Sequence, residues 1–142
     1  GGKYKQNGQL KINEAGITVT ACNLVNKNGK EIDLNREIVM GMNDLFYLIF
    51  YVSGISTSGD IAKISLKTTC MDKNDLVVGL TESLNNDVDL SKRKVFFAFG
   101  PEYWSRLKDL PDLNLVYLNF VIQDDTNPKS YFSGYLKIKL KK

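Results

Sequence analysis

The chain of 142 residues is predicted to fold as an all-β protein, a two-sheet antiparallel β-sandwich of seven to nine strands with one short helix. Three observations predict this fold. Residues 45–52 are LFYLIFYV, an unbroken apolar run typical of a strand buried on both faces. Residues 61–70 are IAKISLKTTC, in which apolar and polar residues alternate as in a strand with one wet face. Similar short stretches recur with turn residues between them, and a closed barrel is the alternative architecture.

The first half of the chain is predicted to supply four strands. Residues 1–9 are polar with several glycines, so we expect a flexible N-terminal segment ahead of a single domain spanning 10–142. The segment 26–29, NKNG, favours a hairpin turn because Asn and Gly adopt positive φ at little cost. Alternation and β-branched residues predict strands on both sides of this turn, at 17–25 and 31–34. Two further strands are predicted at 45–53 and 61–71.

The second half is predicted to contain four strands and the helix. Residues 95–99 include three phenylalanines, and Gly100-Pro101 ends that strand. Pro101 also suits the first position of a helix, so one or two helical turns are expected at 101–108. Residues 82–91 are polar and are expected to form a loop. The remaining strands are predicted at 76–80, 113–123 and 131–140, with turns at 72–75 and 124–129.

The composition argues against an enzyme and against a nucleic-acid partner. The sequence has no histidine, which removes the commonest general base, the commonest metal ligand and every Ser-His or Cys-His nucleophile. It contains no P-loop and no dinucleotide-binding fingerprint. The net charge is only +3, whereas nucleic-acid-binding domains usually carry a concentrated basic face. We therefore expect a non-enzymatic protein, without a cofactor, that binds no nucleic acid.

The beginning of the chain predicts a location outside the cytoplasm. Residues 1–3 are Gly-Gly-Lys, without an initiator methionine, and a removed signal peptide is the simplest explanation. A removed upstream domain is the rival explanation. No stretch approaches the roughly 18 apolar residues of a transmembrane segment. The chain is therefore expected to be extracytoplasmic, in the periplasm or at the cell surface, as the soluble part of a bacterial lipoprotein or surface protein.

The two cysteines, Cys22 and Cys70, are expected to be free thiols. Cys70 shares the alternation phase of Ile64 and Leu66, which are predicted to face inward, whereas Cys22 shares the phase of Thr20, which is predicted to face outward. A β-bulge would reverse either assignment. A disulfide is the alternative, and in the chain-entropy model it would contribute about 4 kcal/mol.

Residues 117–124, YLNFVIQD, resemble a strand of immunoglobulin-like domains in bacterial envelope proteins, in which a Y-x-V-x-V-x-D strand precedes a turn and a closing strand. Segments 44–54, 67–72 and 131–140 fit the same rhythm. The resemblance implies an immunoglobulin-like sandwich for the latter two-thirds of the chain and says little about activity. The Cys-Trp-Cys core of antibody domains is absent, because Trp104 follows both cysteines.

Aromatic residues in two end loops are the candidate binding residues. Tyr103 and Trp104 follow the Gly-Pro break in loop 100–112, and Tyr131 ends loop 124–131. Aromatic side chains on exposed connections can stack on a sugar ring or anchor a protein. The leading hypothesis is therefore an exported module that binds a protein or glycan partner through these loops. The alternative for Trp104 is that it closes the open end of the sandwich.

Acidic turns support a second hypothesis, a calcium-dependent domain. Residues 123–125 followed by 133–140 are loosely similar to the last loop and strand of calcium-dependent C2 domains. The ligands of Ca²⁺ would be Asp72, Asp75, Asp124 and Asp125, and the partner would be a membrane or a ligand. This hypothesis requires the acidic turns to converge at one end of the molecule. The alternative is that these aspartates form turns by bonding their own backbone.

Two further surfaces are predicted from the pattern. Lysines at 137, 139, 141 and 142 are expected to guard an edge strand against aggregation, with contact to an anionic surface as the alternative. Tyr47 and Tyr51 occupy the second face of the strand at 45–53. They are expected either to pack under loops or to mark an exposed apolar patch used for association.

Overall fold

Two antiparallel sheets packed face to face form the fold, which confirms the all-β, two-sheet prediction. The computed structural model describes residues 3–142. A short helix α1 (Pro101–Trp104) is followed by a 3-10 helix (Ser105–Asp109). The strands of the described residues are β1 (Lys3–Asn7), β2 (Leu10–Ala15), β3 (Thr18–Asn26), β4 (Glu31–Ile32), β5 (Val39–Gly41), β6 (Phe46–Ser53), β7 (Ile61–Met71), β8 (Val77–Asp89), β9 (Lys94–Phe99), β10 (Leu115–Asp124) and β11 (Tyr131–Lys141).

The strands divide into a large and a small sheet. The large sheet has the order β1-β2-β11-β10-β7-β8, and β5 adds to the end of β11 in parallel. The small sheet has the order β4-β3-β6-β9. β8 and β9 are edge strands of their sheets and line the same opening between the sheets, so both bound one margin of the sandwich. In the part of the chain that the structure describes, no helix has the length and apolar character needed to span a bilayer.

The core is formed by one face of each sheet, with aromatic rings in its centre. Phe50 on β6 lies 5.0 Å from Phe120 on β10 and 4.9 Å from Phe132 on β11, measured between ring centroids. Offset and edge-on aromatic pairs of this kind add to the free energy gained by burying the rings. These contacts join the small sheet to the middle of the large sheet.

Strand β6 is buried on one face only, which corrects the prediction for residues 45–52. Its core-facing side chains, such as Phe46 and Leu48, are buried, whereas Tyr47, Ile49 and Tyr51 are half-buried on the outer face of the small sheet. An unbroken apolar run predicts burial on both faces. Here the outer face is covered only in part, by side chains of neighbouring strands such as Phe96 of β9. Apolar area therefore remains accessible on that face.

Two segments predicted to lack regular structure are strands. Residues 3–7 of the segment expected to be flexible form β1, which pairs with β2; residues 1–2 lie outside the described residues. Residues 82–89, expected to be a loop, belong to β8 and pair with β7 from Glu82 opposite Thr68 to Asp89 opposite Ile61. An edge strand with a wet outer face needs few apolar residues, because backbone bonds to its neighbour hold it in place.

Cys22 and Cys70 are free thiols in opposite sheets. Cys70 is buried, as predicted. Cys22 is half-buried rather than exposed, because a bulge between Val19 and Ala21 shifts the phase of β3 and places Cys22 on the same face as buried Leu24. Burial raises the pKa of each thiol to about 12.

The strand that carries the C-terminal lysines is not an edge strand, so the guarding role predicted for them is wrong. β11 lies between β10 and β2, and its last residues pair with β5. The Lys142 ammonium group instead donates hydrogen bonds to the carbonyl oxygens of Leu107 and Leu110 at the end of the 3-10 helix. This places a positive charge at the end of the helix where the partial charge of the carbonyl groups is negative.

Candidate functional site

The aromatic residues of loop 100–112 are part of the core, so the prediction that they form an exposed binding site is wrong. Tyr103 is 2% exposed and Trp104 is 0% exposed. The Trp104 indole nitrogen donates a hydrogen bond to the Met42 carbonyl oxygen at 3.2 Å, and its ring meets Phe99 edge-on at 6.0 Å. Trp104 therefore closes the end of the sandwich, as the alternative interpretation expected.

The loop is pressed closely against the large sheet beneath it. The Tyr103 hydroxyl accepts a hydrogen bond from Thr68 at 3.3 Å and donates one to Glu82 at 3.5 Å. Burial and the nearby Glu82 carboxylate raise the pKa of Tyr103 despite the bond from Thr68. A Cβ atom on Gly79 would lie 2.0 Å from the Tyr103 carbonyl oxygen, so only glycine allows this approach.

The acidic turns do not converge, which contradicts the arrangement required for a shared calcium site. Asp72 follows the last residue of β7, whereas Asp124 pairs with Ile64 near the first residues of β7. Between Ile64 and Met71 the strand rises about 23 Å. Asp72 and Asp75 therefore lie at one end of the large sheet, and Asp124 and Asp125 at the other. Within the described residues, no group of three or more carboxylate or thiol side chains is placed to hold a metal ion.

The carboxylate oxygens of Asp72 and Asp125 accept hydrogen bonds from groups of the chain itself. An oxygen of Asp72 accepts hydrogen bonds from the backbone N–H groups of Asn74 and Leu76, at 2.8 and 3.0 Å. Asp75 stands in the same turn with a φ of 63°. Asp125 accepts a hydrogen bond from the Ser65 hydroxyl at 2.5 Å. The bonds to Asp72 are the turn-forming bonds that the alternative interpretation predicted, whereas the bond to Asp125 joins its turn to β7.

Asp124 is fully buried and hydrogen-bonded by two segments. One carboxylate oxygen accepts a bond from the Ser56 N–H at 2.8 Å, and the other accepts bonds from the N–H and hydroxyl of Thr126 at 3.0 and 2.8 Å. Burial raises the pKa of Asp124, but these bonds lower it by more, so the pKa lies below the usual value for aspartate. Asp124 therefore joins the turn after β6 to the turn after β10.

Tyr131 differs from the other two aromatic candidates because it is 39% exposed. It lies on the outer face of the large sheet, opposite Gln123 of β10 and Ala15 of β2. On β11 the next side chains of this face are Ser133 and Tyr135, since alternate residues share a face. Tyr131 thus belongs to a sheet face rather than to an end loop.

Two rows of side chains cross this face beside Tyr131. Both rows cross the adjacent strands β2, β11, β10 and β7 in that order. The first row consists of Lys11, Tyr135, Asn119 and Thr69, and the second row consists of Asn13, Ser133, Val121 and Lys67. They surround a recess of about 440 Å³, which we call the sheet-face recess. Its lining also includes Met71, Phe120 and Gly134.

The sheet-face recess combines aromatic rings, amides, hydroxyls and positive charge. The rings of Tyr117 and Tyr135 meet edge-on at 5.2 Å, and the Lys11 ammonium group lies 5.7 Å from the centroid of the Tyr135 ring. Among the residues that line the recess, two are lysines and none is a carboxylate. Such a surface favours an anionic ligand that presents hydroxyl groups and a flat apolar side.

A second opening runs between the two sheets at the margin bounded by β8 and β9. This β8–β9 groove has a volume of about 610 Å³. Its floor is apolar and includes Ile64, Leu66 and Val95. Its mouth carries both signs of charge, with Asp87, Asp89, Lys92 and Lys94.

Comparison with known proteins gives no relative from which a function could be carried over. None of the protein-family models matches the chain, and a search of the curated proteins also gives no match. A proposal about its function therefore rests on its own side chains.

Some of the residues that line the sheet-face recess could be predicted from the sequence to face outward. Alternation correctly places Lys67 and Thr69 on the outer face of residues 61–71. It does not show that these residues lie beside Asn119 of β10 and two strands away from Ser133 of β11, because strand order and register are set by contacts between distant segments.

Proposed function

We propose that this protein is a non-enzymatic, exported binding module that holds an acidic glycan on the outer face of its large sheet. The observation that carries the proposal is the lining of the sheet-face recess, in which Lys11 and Lys67 accompany tyrosine, amide and hydroxyl groups without a carboxylate. The surface of contact differs from the end loops first considered, since only Tyr131 of the three aromatic candidates is exposed.

The polar groups of the recess match the chemistry of a sugar. Asn13 and Asn119 each offer a carbonyl oxygen and an amide nitrogen, so they can accept from and donate to neighbouring hydroxyl groups. Ser133 and Thr69 add hydroxyls that both donate and accept. Tyr135 supplies an aromatic ring beside these groups, which suits the apolar C–H side of a sugar ring.

The positive charge of the recess favours acidic glycans over neutral ones. Lys11 on β2 and Lys67 on β7 stand on opposite sides of the face, with β11 and β10 between them. A glycan that carries carboxylate or sulfate groups at intervals would bring negative charge to both. A neutral glycan would leave the two ammonium groups without that gain.

The recess is also rigid, because it is built on four hydrogen-bonded strands. Asn119 lies between Tyr135 and Thr69 in the registers of β10 with β11 and with β7. Side chains held by strands lose less conformational entropy on binding than side chains on loops. Acidic polysaccharides occur at cell surfaces, so the proposal agrees with the expected extracytoplasmic location.

Binding of polygalacturonate, heparin and uncharged dextran to the full chain, measured by isothermal titration calorimetry, tests the proposal. We expect one of the acidic polymers to bind and dextran not to bind. Lys67→Ala should raise the dissociation constant about tenfold because it removes a charge-assisted contact. Tyr135→Ala should also weaken binding. Added salt should weaken binding of the native chain.

Lys63→Ala is the matched control for Lys67→Ala. Lys63 stands on the same strand and is exposed, but it does not line the recess. Its replacement should leave the dissociation constant unchanged. The proposal is overturned if the native chain binds neither acidic polymer, or if Lys63→Ala weakens binding as much as Lys67→Ala does.

A further inference from the structure

The sheet-face recess is longer across the strands than along them. It spans the four adjacent strands β2, β11, β10 and β7, whose spacing of about 4.8 Å gives a width of about 14 Å. Along each strand its lining is two outward-facing side chains deep, which is about 7 Å. Among the described lining residues, Met71 on β7 alone extends beyond the two rows. A chain-like ligand that fills the recess therefore lies across the strands.

Tyrosine side chains flank both long sides of the recess. On one side, Tyr131 is the next outward-facing residue of β11 beyond Ser133. On the other side, Tyr117 is the next outward-facing residue of β10 beyond Asn119, and its ring meets the Tyr135 ring edge-on at 5.2 Å. A ligand that ran along β10 or β11 would meet one of these rings, because both lie on the outer face of the sheet.

The short end of the recess at β7 is open. The next strand is the edge strand β8, on which Ser83 lies opposite Lys67 and Thr81 lies opposite Thr69. Ser83 and Thr81 are exposed and have small side chains, so neither blocks a ligand that continues across β7. A long polymer can therefore place an internal segment in the recess.

The two lysines of the recess lie at opposite ends of its long axis. Lys11 is on β2 and Lys67 is on β7, with β11 and β10 between them. The Lys11 ammonium group lies 5.7 Å from the centroid of the Tyr135 ring on the neighbouring strand, so it is turned toward the recess. A ligand gains a charge-assisted contact with both lysines only if it reaches across all four strands.

We infer that the recess holds four consecutive units of the acidic glycan, laid across the strands with one sugar ring over each of β2, β11, β10 and β7. This inference rests on the proposed function and adds the length and direction of the ligand. One unit of an extended glycan is about 5 Å long, close to the strand spacing, so sugar rings and strands stay in step over this distance. The ring over β11 lies at Tyr135, and the acidic groups of the two outer units reach Lys11 and Lys67.

Titration of the ¹⁵N-labelled full chain with galacturonate oligomers of two to six units, followed by NMR, tests the length. The dissociation constant should fall about tenfold from three units to four, because only the tetramer reaches both lysines. Five and six units should bind only slightly more tightly than four. If heparin is the polymer that binds, its fragments of two, four and six units should show the same gain up to four units and little beyond.

The length series separates this inference from the proposed function. A dimer that binds as tightly as the tetramer, or an affinity that keeps rising to six units, overturns the four-unit site and leaves the acidic glycan as the ligand. A native chain that binds neither acidic polymer overturns both.

A lysine added on β8 tests whether the ligand crosses the strands. Ser83→Lys places a charge where a fifth unit would lie, so the pentamer should then bind about tenfold more tightly than the tetramer. Thr81→Lys, in the other row of the same strand, should act in the same way. Leu76→Lys is the matched control, because it adds the same charge in the turn between β7 and β8, and it should leave the limit at four units.

A nitroxide label on the reducing end of the tetramer tests the direction on the native chain itself. We expect the label to broaden the amide signals of one short end of the recess, either around Lys11 on β2 or around Lys67 on β7. Strongest broadening at Gln123 or Lys137, which lie beyond the long sides, would mean that the ligand runs along the strands and would overturn the inference. A limit that stays at four units in both Ser83→Lys and Thr81→Lys, with their NMR spectra showing folded protein, would also overturn it.

Discussion

One carboxylate at Asp124 holds two turns of the sandwich together. It accepts hydrogen bonds from Ser56 in the turn after β6 and from Thr126 in the turn after β10. The backbone N–H of Asp124 also donates to the Ser130 carbonyl oxygen at 2.9 Å. A buried carboxylate is stable here because each of its oxygens has a donor. The residue that seemed a metal ligand from the sequence is a structural link.

Asp124→Asn should destabilise the protein at neutral pH by about 2 kcal/mol, because the amide group turns a donor toward groups that themselves donate. The lowered pKa gives the pH dependence a sign. In the unfolded chain the carboxyl group has a pKa of about 3.9. The native carboxylate contributes stability above that pH, and the contribution is lost as the pH falls through the lower native pKa.

Urea unfolding at about pH 7 and again at about pH 3 measures this contribution. The difference in unfolding free energy between native protein and Asp124→Asn should be smaller at the lower pH. Asp112→Asn is the control, because Asp112 is exposed, and it should have little effect at either pH. Equal differences at both pH values would show that the carboxylate charge is not what stabilises the turns.

The two thiols should be inert in the folded protein. Thiolate is the reactive form of cysteine, and burial raises the pKa of both Cys22 and Cys70 to about 12, so both stay neutral at about pH 8. We expect iodoacetamide to modify both residues slowly in the native state and rapidly in urea, as read by mass spectrometry. Rapid modification of Cys22 in the native state would mean that the bulge in β3 does not turn it toward the core.

At the scale of the element, α1 and the 3-10 helix cover one end of the sandwich and close its core. Tyr103, Trp104 and Leu107 are all buried, and Lys142 ties the last turn of the 3-10 helix to the end of β11. A short helix contributes little stability by itself. The buried side chains of this segment, rather than its backbone hydrogen bonds, therefore hold it against the sheets.

Trp104→Ala should lower the unfolding free energy by about 3–5 kcal/mol, because it removes a fully buried aromatic side chain and leaves a cavity. Trp104→Phe should cost less, since it keeps part of the packing against Phe99. Tyr131→Ala is the matched control, because Tyr131 is an exposed aromatic residue. Thermal and urea unfolding check the order of the three variants. A loss for Trp104→Ala no larger than that for Tyr131→Ala would contradict the assignment to the core.

Strands with alternating or continuous apolar residues could be predicted from the sequence, and strands held mainly by their neighbours could not. The patterns at 61–71 and 113–123 are clear because one face of each strand enters the core. Residues 82–89 carry turn-forming Asn and Asp, and they become a strand because β7 is long enough to pair with them. The short helix was predictable because Pro101 fixes its first position.

At the scale of the whole molecule, the sequence shows which side chains of a strand share a face, but not which side chains of other strands lie beside them. Alternation placed Lys67 outward, yet the sheet-face recess exists only because β10 and β11 lie between β7 and β2. For the same reason the sequence could not show that the acidic turns after β7 and β10 lie at opposite ends of the sheet. Order and register depend on long-range pairing, which leaves no local pattern.

The place of β11 in the large sheet sets the order in which this chain can fold during synthesis. β11 is the last described strand to leave the ribosome, yet it lies in the middle of the sheet and is the only link between β2 and β10. Until it emerges, no strand pairing joins β1 and β2 to β10, β7 and β8. The large sheet therefore closes only after β11 has emerged, and until then its two parts stay open to chaperones.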